Sequence, residues 1–309
     1  MRLLLQFPEG LKQQALAYAE ELEKSGDEVF VSASPTFGAC DLALDEARSI
    51  NADKLIHFGH AEFQHVDFNV EYVEFRVDAP LGILEESLEH MKDYSTIGLV
   101  TTIQHVHQLG AIKEFYEKNG KRVLMGKPYG FAKQRGQILG CDVGSAATID
   151  RDVDTFVYFG SGMFHPLGAL LNTTKPFLVV EPFANKVELI DNYRKTYKGR
   201  SKGKILKAVD ARSFGILLTT KNGQHNESLA RILKQRIERD GLAACILTSS
   251  TFDFTSLENM REFDAFINTA CPRIAVDDTD RLSKPLLSAN ELMEVLRMKK
   301  ELAELRAKS

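Results

Sequence analysis

The sequence predicts an α/β protein made of three repeated, doubly wound βαβ domains with parallel sheets, and three observations support this fold class. The chain has 309 residues, which exceeds one ordinary domain. One order of elements, namely strand, helix, glycine stop and strand, occurs three times along it. A short apolar run that follows an aspartate also occurs once in each copy. Strands that alternate with helices form parallel sheets through right-handed crossovers, so each copy is expected to form one sheet.

Each copy begins with an apolar strand and continues into an amphipathic helix that a glycine ends. In the first copy, Leu11, Ala15, Tyr18 and Leu22 recur at helical spacing and predict one apolar face. The predicted strand, helix and second strand are 3–5, 11–24 and 28–32 in the first copy, 97–101, 106–118 and 122–125 in the second, and 215–219, 226–239 and 244–247 in the third. The apolar run after the aspartate is the next predicted strand of each copy.

Domain boundaries are predicted near residues 90 and 200, which gives domains 1–90, 91–200 and 201–309. Beside the second boundary, residues 194–207 contain seven basic residues and no acidic one. A charge run of this kind is typical of a solvated connector. The alternative interpretation is a docking surface for an acidic protein or a ribonucleoprotein-associated partner.

The chain is expected to end with a helix that begins at Ser288. Ser288 and Glu291 have the spacing of a capping box. The apolar face of this helix is predicted to consist of four side chains, Leu292, Val295, Leu302 and Leu305.

Composition excludes several classes of protein. The net charge of −4 and the pI near 6.1 argue against a protein that mainly binds nucleic acid. No apolar run approaches the roughly 18 residues that a membrane span needs, so no membrane association is expected. Four scattered cysteines do not form a disulfide framework, which favours a cytoplasmic protein with reduced thiols.

Three of the four cysteines occur at positions that the repeat defines. Cys40 and Cys141 each precede, by 13 residues, the aspartate that opens the apolar run of their copy. The third copy has Thr251 at that position and instead has Cys271 directly after its run. The other interpretation is that cysteines are small buried apolar residues, and Cys245 in the run 244–247 is expected to be one.

The positions of these three cysteines suggest a shared site. Ligands of open parallel sheets bind beyond the carboxyl ends of the strands, where Cys271 and its repeat equivalents His60 and Ser161 are expected. Three domains arranged as a triangle, with these ends inward, would bring Cys40, Cys141 and Cys271 together. Three thiolates suit a [4Fe–4S] cluster with one open iron better than a structural zinc ion, which takes four ligands.

Four short stretches together resemble a known family. They are Gly38-Ala39-Cys40-Asp41, Gly140-Cys141-Asp142-Val143-Gly144, Phe159 to Gly168, and Ala270-Cys271-Pro272-Arg273. These stretches resemble the radical enzymes that catalyse the first step of diphthamide synthesis, and the resemblance covers the full chain. The chain is also similar to the single-subunit archaeal form, which works as a homodimer.

The resemblance implies a three-domain transferase that holds a [4Fe–4S] cluster through Cys40, Cys141 and Cys271. It also implies that the enzyme cleaves S-adenosylmethionine to a 3-amino-3-carboxypropyl radical. That radical adds to an imidazole carbon of one histidine of translation elongation factor 2. A homodimer and an unidentified electron donor are the other expected partners. The Cys-x3-Cys-x2-Cys motif of ordinary radical enzymes is absent, which agrees with a separate lineage.

S-adenosylmethionine needs polar contacts, and the expected ones lie at strand ends. They are the backbone of Gly160, Ser161 and Gly162, and the side chains of His165, Gln6, Thr102 and Gln104. Glu181 is a further candidate for a ligand hydroxyl or amine, and Arg212 for the substrate carboxylate. His105 and His107 are interpreted as polar residues at a helix start, because residues two apart point in different directions.

Two other functions remain open on the residues alone. One is a quinolinate-synthase-like dehydratase, in which the open iron acts as a Lewis acid without S-adenosylmethionine. The other is a ligand-binding scaffold without a cluster, in which every cysteine belongs to the core.

Overall fold

The computed structural model describes residues 1–274 and 282–308, in which the strands form three sheets. The strands are β1 (Arg2–Gln6), β2 (Glu28–Val31), β3 (Lys54–Phe58), β4 (Val70–Val73), β5 (Thr96–Thr101), β6 (Arg122–Leu124), β7 (Thr155–Phe159), β8 (Phe177–Glu181), β9 (Lys186–Leu189), β10 (Ser213–Thr219), β11 (Ala243–Ser249), β12 (Ala265–Asn268) and β13 (Leu286–Leu287). The α-helices are α1 (Ala15–Lys24), α2 (Leu44–Ser49), α3 (Leu84–Glu89), α4 (Leu109–Lys118), α5 (Gly144–Ala147), α6 (Phe164–Asn172), α7 (Asn192–Ala208), α8 (Glu227–Arg239), α9 (Phe254–Asn259) and α10 (Ala289–Lys308).

The three sheets share one topology, which confirms the predicted α/β fold class and its repeats. Their strand orders are β2-β1-β3-β4, β6-β5-β7-β8-β9 and β11-β10-β12-β13. In each sheet the first strand of the copy lies inside, with the second strand on one side and the strand after the aspartate on the other. All pairs are parallel except one.

The exception is the edge strand β9, which runs antiparallel to β8. The chain reverses through a short turn in which Asn185 has a positive φ of 49°. A direct reversal of this kind joins antiparallel neighbours, whereas a parallel neighbour would need a long crossover. The second sheet therefore departs from the purely parallel arrangement that the repeats predict.

The first helices of the first two copies begin later than their apolar pattern predicts. A 3-10 segment at Glu9–Gln14 precedes α1, and another at Ile103–Gln108 precedes α4. Neither segment has a side-chain N-cap hydrogen bond. Each α-helix is therefore preceded by a tighter 3-10 turn and not by a side-chain cap.

The chain separates into two compact units, residues 1–192 and 193–309. The first unit contains two sheets and the second unit contains one. The predicted boundaries near residues 90 and 200 remain predictions, and residues 275–281 and 309 of the third predicted domain lie outside the described residues. Within the described part of the chain, no helix is both long and apolar enough to cross a membrane.

The basic stretch 194–207 forms most of helix α7, and most of its residues are exposed or half-buried, so the predicted solvated stretch is helical. Lysine, arginine, leucine and alanine are good helix formers, which the charge pattern alone does not reveal. The helix packs on its own unit through Lys204, whose Nζ lies 2.9 Å from Glu291 Oε2, with both side chains largely buried.

The capping box at the start of α10 is confirmed. The Ser288 N–H donates to Glu291 Oε2 at 2.8 Å, and the Glu291 N–H donates to Ser288 Oγ at 3.3 Å. The predicted apolar face is only half correct. Leu292 and Val295 are buried, but Leu302 and Leu305 are 37% and 63% exposed, because the second half of the helix extends past the core of its unit.

Cys245 is exposed, so the prediction that it belongs to the core is wrong. It lies on β11, the edge strand of the third sheet, where successive side chains point to opposite faces. Its neighbours Ala244 and Ile246 pack against the core of the unit, which leaves Cys245 on the other face.

The repeated aspartate joins two neighbouring strands at their amino ends. Its carboxylate accepts the backbone N–H of the first residue of the paired strand: Asp53 from Arg2 at 2.6 Å, Asp154 from Thr96 at 2.8 Å and Asp264 from Ser213 at 3.0 Å. The aspartate N–H returns a bond to the carbonyl of the same residue in each copy. The repeat therefore fixes the same strand register three times.

These backbone N–H donors lower the pKa of Asp154 below its ordinary value of 3.8. A carboxyl with a lowered native pKa stabilises the fold above its unfolded pKa and loses that contribution as the pH falls. We expect Asp154→Ala to lower the free energy of unfolding by about 1 kcal/mol at neutral pH, because it removes hydrogen bonds to a charged but exposed acceptor. Urea unfolding measures this change.

The difference between Asp154→Ala and the wild type should shrink as the pH falls below 3.8. Asp152→Ala is the matched control, since the structure gives Asp152 no side-chain bond of this kind. Equal effects of the two substitutions, or a difference that grows in acid, would contradict the role assigned to Asp154.

Candidate functional site

In the strand that follows each repeated aspartate, the last or next-to-last residue has a polar side chain that bonds to the residue three positions further along the chain. His57 Nε2 lies 3.0 Å from His60 Nδ1, the Tyr158 hydroxyl donates to the Ser161 carbonyl at 3.3 Å, and Asn268 Nδ2 donates to the Cys271 carbonyl at 2.8 Å. These are the equivalent positions of the three copies. All three bonds lie at the carboxyl ends of their sheets, where ligands of parallel sheets bind.

In the first copy, Gln6 holds the loop that carries Cys40. Gln6 is the last residue of β1 and is only 2% exposed. Its amide nitrogen donates to the Asp41 carbonyl at 2.7 Å and to Thr36 Oγ1 at 3.3 Å. Its amide oxygen accepts from the Ala43 N–H at 3.2 Å and lies 2.9 Å from His57 Nδ1. The structure therefore uses the whole amide of this predicted ligand contact to support the loop.

The two histidines of this copy are buried against each other. Burial, and secondarily the nearby His60, lowers the pKa of His57 from 6.5 to about 3. Burial also lowers the pKa of His60. Burial therefore disfavours the protonated form of both rings.

Cys40 lies in a tight turn that Asp41 organises. The Asp41 N–H donates to the Gly38 carbonyl at 2.9 Å, and the Asp41 carboxylate accepts the Phe37 N–H at 3.4 Å. A Cβ atom on Gly38 would lie 3.7 Å from both Cys40 Sγ and His60 Nε2. The absence of a side chain at Gly38 leaves open the space that these two atoms border.

Cys141 lies in a loop that its own neighbouring aspartate organises. The Asp142 carboxylate accepts the N–H groups of Phe131 at 2.6 Å, Ala132 at 3.3 Å and Gly144 at 3.0 Å. Cys141 is exposed, whereas Cys40 is partly buried. In both of these loops the aspartate after the cysteine turns its charge toward backbone donors.

Helix α6 packs directly on the Cys141 loop. A Cβ atom on Gly140 would lie 1.9 Å from the Phe164 ring, and one on Gly168 would lie 2.7 Å from the Gly140 carbonyl oxygen. Two glycines therefore allow this close approach. His165, in the first turn of α6, has its ring edge-on to Phe164 with the ring centres 5.2 Å apart, so the structure brings this predicted contact beside the Cys141 loop.

The turn at Gly160 to Gly162 is held from two sides. Both glycines have a positive φ, 148° and 78°. The Gly162 N–H donates to Glu181 Oε1 at 3.1 Å, and the Tyr158 hydroxyl bonds to the Ser161 carbonyl. Glu181, the last residue of β8, therefore supports this turn, a role that the sequence did not predict.

The predicted contacts Thr102 and Gln104 lie at the end of β5 in the same sheet. Their side chains bond to each other, and Thr102 is buried. Thr102 also bonds to the Tyr158 hydroxyl, whose pKa burial raises. These two residues therefore lie beside the turn that starts at Gly160.

His105 and His107 hold different atoms of one connecting segment, in agreement with their assignment to a helix start. His105 Nδ1 lies 3.0 Å from the Val77 carbonyl oxygen, and His107 Nε2 lies 2.9 Å from Asp78 Oδ1. The His105 ring also packs edge-on against Phe159, with ring centres 5.6 Å apart.

An aromatic pair joins the segment after His60 to the segment that bonds to Asp142. Phe63, three residues after His60, stacks on Phe131 with ring centres 3.9 Å apart and an angle of 15°. The Phe131 N–H is one of the donors to Asp142. The segments that carry His60 and Asp142 thus contact each other within the first unit.

In the second unit, Cys271 follows β12 and is partly buried. Asn268 organises its turn, because the side chain donates to the Cys271 carbonyl and accepts from the Ala270 N–H at 3.1 Å. Arg212 lies at the amino ends of the strands of this sheet, away from Cys271, and its N–H donates to the Asp264 carboxylate at 2.7 Å. That position does not favour the predicted contact between Arg212 and a substrate carboxylate.

None of the four cysteines, all of which are described, forms a disulfide. Among residues 1–274 and 282–308, no three His, Cys, Asp or Glu side chains are grouped to hold a single metal ion. In an iron–sulfur cluster each cysteine binds a different iron, so its ligands do not need to converge on one point.

The fold and these loops define a class of protein that can be compared with known ones. A family model described as "Putative diphthamide synthesis protein" matches residues 7–305. The chain belongs to this diphthamide synthesis family, which confirms the family that the four sequence stretches indicated.

Two relatives carry the name of a transferase. The 2-(3-amino-3-carboxypropyl)histidine synthase of Pyrococcus horikoshii is 32% identical over 304 residues, which are 97% of this chain and 87% of the relative. Subunit 1 of the human 2-(3-amino-3-carboxypropyl)histidine synthase is 29% identical and covers 96% of this chain and 68% of that protein. These names confirm the predicted enzyme class, a transferase.

A solved structure extends the comparison to the fold. The crystal structure of Dph2 from Pyrococcus horikoshii with a 4Fe-4S cluster has a TM-score of 0.88 and 31% sequence identity. The match covers 96% of this chain and 86% of that one. That protein, in that crystal, holds the cluster which the cysteine pattern predicts here.

Sequence reasoning missed the polar residues at the strand ends. His57, Tyr158 and Asn268 each lie four residues after the repeated aspartate, so an alignment of the three copies would have found them. They were missed because they are three different residue types and two of them lie within apolar runs.

We expect Gly160→Ala to destabilise the protein by about 1–3 kcal/mol, because alanine rarely adopts such a φ. Its Cβ would also lie 2.9 Å from the Tyr158 hydroxyl oxygen. Adding Tyr158→Phe removes this oxygen and should recover part of the loss. Thermal unfolding measures both changes.

Gly82→Ala is the matched control, since a Cβ there meets nothing within 4 Å and no positive φ is required. A wild-type melting temperature for Gly160→Ala would contradict the strain assigned to this turn. So would a double variant no more stable than the single one.

Proposed function

We propose that this chain is a 2-(3-amino-3-carboxypropyl)histidine synthase that catalyses the first step of diphthamide synthesis on translation elongation factor 2. Membership of the family supports this proposal. The observation that carries it is the presence of one cysteine loop per repeat at a carboxyl-end position, in a chain with 32% identity to a synthase of this name. The proposed domains are 1–90, 91–200 and 201–309, with one of these cysteines each.

The donor set fits a [4Fe–4S] cluster. Cys40, Cys141 and Cys271 are the proposed ligands, and thiolate is the ligand that iron–sulfur clusters take. Asp41 and Asp142 follow two of these cysteines in sequence, and their carboxylates accept hydrogen bonds from backbone N–H groups. These donors offset part of the negative charge that the two carboxylates place near the sulfurs. Three ligands leave one iron without a protein ligand, and that iron is proposed to meet the substrate.

When bound, a [4Fe–4S] cluster of this kind supplies the low-potential electron that cleaves a carbon–sulfur bond of S-adenosylmethionine to give a 3-amino-3-carboxypropyl radical. The chain's own residues bind and orient the substrate, because orientation decides which of its three carbon–sulfur bonds breaks. The proposed contacts are the backbone at Gly160, Ser161 and Gly162 and the side chains of His165, Thr102 and Gln104. Gln6 is assigned to the same site through the loop that it supports.

The radical is proposed to add to an imidazole carbon of one histidine of the elongation factor. The new carbon–carbon bond replaces a carbon–hydrogen bond, so the adduct loses one proton and gives back the one electron that the cleavage consumed. A homodimer and an electron donor that is not yet identified complete the proposed partners. The proposed location is the cytoplasm, where thiols stay reduced and elongation factors act.

Replacement of any one of Cys40, Cys141 and Cys271 by alanine should abolish the bound cluster, because each removes one of only three ligands. Iron and sulfide analysis after anaerobic reconstitution measures this loss. The wild type should contain about four irons and four sulfides per chain.

Cys245→Ala is the control and should keep the wild-type content, since Cys245 is an exposed residue of an edge strand. Full iron in Cys271→Ala would show that the proposed ligand set is wrong. A colourless wild-type protein that cannot be reconstituted would overturn the cluster proposal as a whole.

The direct test of the activity is to incubate the reduced protein with S-adenosylmethionine and elongation factor 2 and then weigh the factor. We expect one 3-amino-3-carboxypropyl adduct per factor and an equal amount of methylthioadenosine. A factor in which the target histidine is replaced is the control. An intact cluster with no methylthioadenosine would contradict the proposal and favour the dehydratase alternative.

A further inference from the structure

Helix α7 carries a strong positive charge in an acidic protein. Its 17 residues include seven lysines and arginines and no acidic residue. The whole chain has a net charge of −4 and this helix one of +7, so the rest of the chain has a net charge of −11. The charges are therefore segregated, and a negatively charged partner would be attracted to this helix.

Three of these lysines form one exposed face of α7. Lys195, Lys198 and Lys202, the lysine face, are three and four residues apart, so they lie on the same side of the helix. All three side chains are exposed. Within the described part of the chain, none of the three has a hydrogen-bond or ion-pair partner. Their charges are therefore available to another molecule.

A different side of α7 packs on its own unit. Ser201 Oγ donates to Glu291 Oε1 at 2.5 Å, and Lys204 Nζ donates to the other oxygen of that carboxylate at 2.9 Å. Ile205 and Ala208 belong to the apolar core of the unit. These contacts fix the rotation of the helix about its axis, and the lysine face is left in solvent.

The helix lies at the same end of its unit as the turn that contains Cys271. Glu291 is in the first turn of α10, which follows β13 at the carboxyl end of the third sheet. One turn before Ser201, burial raises the pKa of Tyr197, and the nearby Arg273 charge opposes that rise. Arg273 is two residues after Cys271, so α7 extends past a proposed cluster ligand.

The sequence of α7 is not one that favours a helix locally. Lys198 is four residues from both Arg194 and Lys202, and like charges at this spacing destabilise a helix. Gly199 and Gly203 weaken it further, although a Cβ on either glycine would meet nothing within 4 Å. Proteins break such local rules chiefly at functional sites. The composition of this helix is therefore typical of a binding surface.

The lysine face fits a compact acidic surface better than a nucleic acid. Its three lysines lie along about 10 Å of helix. A nucleic acid has a negative charge at every phosphate, so a strand longer than this would meet the net negative remainder of the chain. An acidic patch on a folded protein matches a surface of this size, and repulsion elsewhere restricts how that protein can approach.

We propose that Lys195, Lys198 and Lys202 dock an acidic patch of elongation factor 2, the protein that carries the target histidine. This inference rests on the proposed function, since that reaction needs a protein substrate held with one imidazole at the cluster end of the chain. The lysines bind the factor equally before and during the reaction. They therefore lower the concentration of factor that half-saturates the enzyme and contribute nothing to the chemical step.

The test compares the full-length wild type with Lys195→Glu/Lys198→Glu/Lys202→Glu, both reduced with dithionite so that no electron-donor protein is present. The half-saturating concentration of elongation factor 2 at low salt should rise about tenfold, because three exposed ion pairs are lost. The maximal rate of adduct formation and the iron content should not change. The difference should shrink as salt is added, since salt screens exposed charges.

The matched control is Lys24→Glu/Lys118→Glu/Lys300→Glu, which changes the net charge equally on helices α1, α4 and α10. It should keep the wild-type half-saturating concentration. An unchanged value in the α7 variant would overturn the inference. An equal rise in the control would also overturn it, because net charge and not the lysine face would then govern the encounter.

A direct binding measurement separates this inference from the proposed function. Fluorescence anisotropy of labelled elongation factor 2 with the iron-free chain should give a Kd that is about tenfold weaker in the α7 variant. A labelled single-stranded RNA is the second probe. Loss of RNA binding in that variant, with an unchanged Kd for the factor, would overturn the inference and assign the face to nucleic acid. Docking through this face by a wild type that forms no adduct would refute the proposed function alone.

Discussion

The bond between the repeated aspartate and the backbone of the neighbouring strand sets the register on which each sheet depends. The aspartate N–H and carboxylate contact the same residue, so two adjacent strands start level in all three copies. Parallel strands that start level and have similar lengths also end level. Within each sheet, the polar side chain near the end of the strand is thereby brought to the carboxyl end of that sheet.

The carboxyl ends show how one scaffold supports three different loops. His57, Tyr158 and Asn268 occupy the same repeat position and make the same three-residue reach, yet their chemistry differs. The first holds a second histidine over a cysteine turn, the second holds a glycine-rich turn, and the third holds the carbonyl of a cysteine itself. Cys271 does not share the repeat position of Cys40 and Cys141, and the residues that support the turns in the three copies differ as well.

Much of this fold follows from local patterns. Apolar runs, glycine stops and the aspartate spacing predict the three parallel sheets, because strand periodicity and crossovers leave few alternatives. The helical form of residues 194–207 was not predicted, and the exposure of Cys245 was mispredicted, since charge runs and apolar runs do not reveal which face of an element the rest of the chain covers. The repeat predicts that Cys40, Cys141 and Cys271 lie in loops beyond the carboxyl ends of strands. The bonds of Gln6 and Glu181 could not, because they join residues that are distant in sequence and have no local signal.

The central claim is that three cysteines, one from each repeat, hold a cluster and leave one of its irons for the substrate. Mössbauer spectroscopy of the reconstituted protein, with and without S-adenosylmethionine, tests it most directly. We expect one iron distinct from the other three, and a change in the signal of that iron alone when S-adenosylmethionine is added. Four equivalent irons whose signals do not respond to S-adenosylmethionine would contradict it.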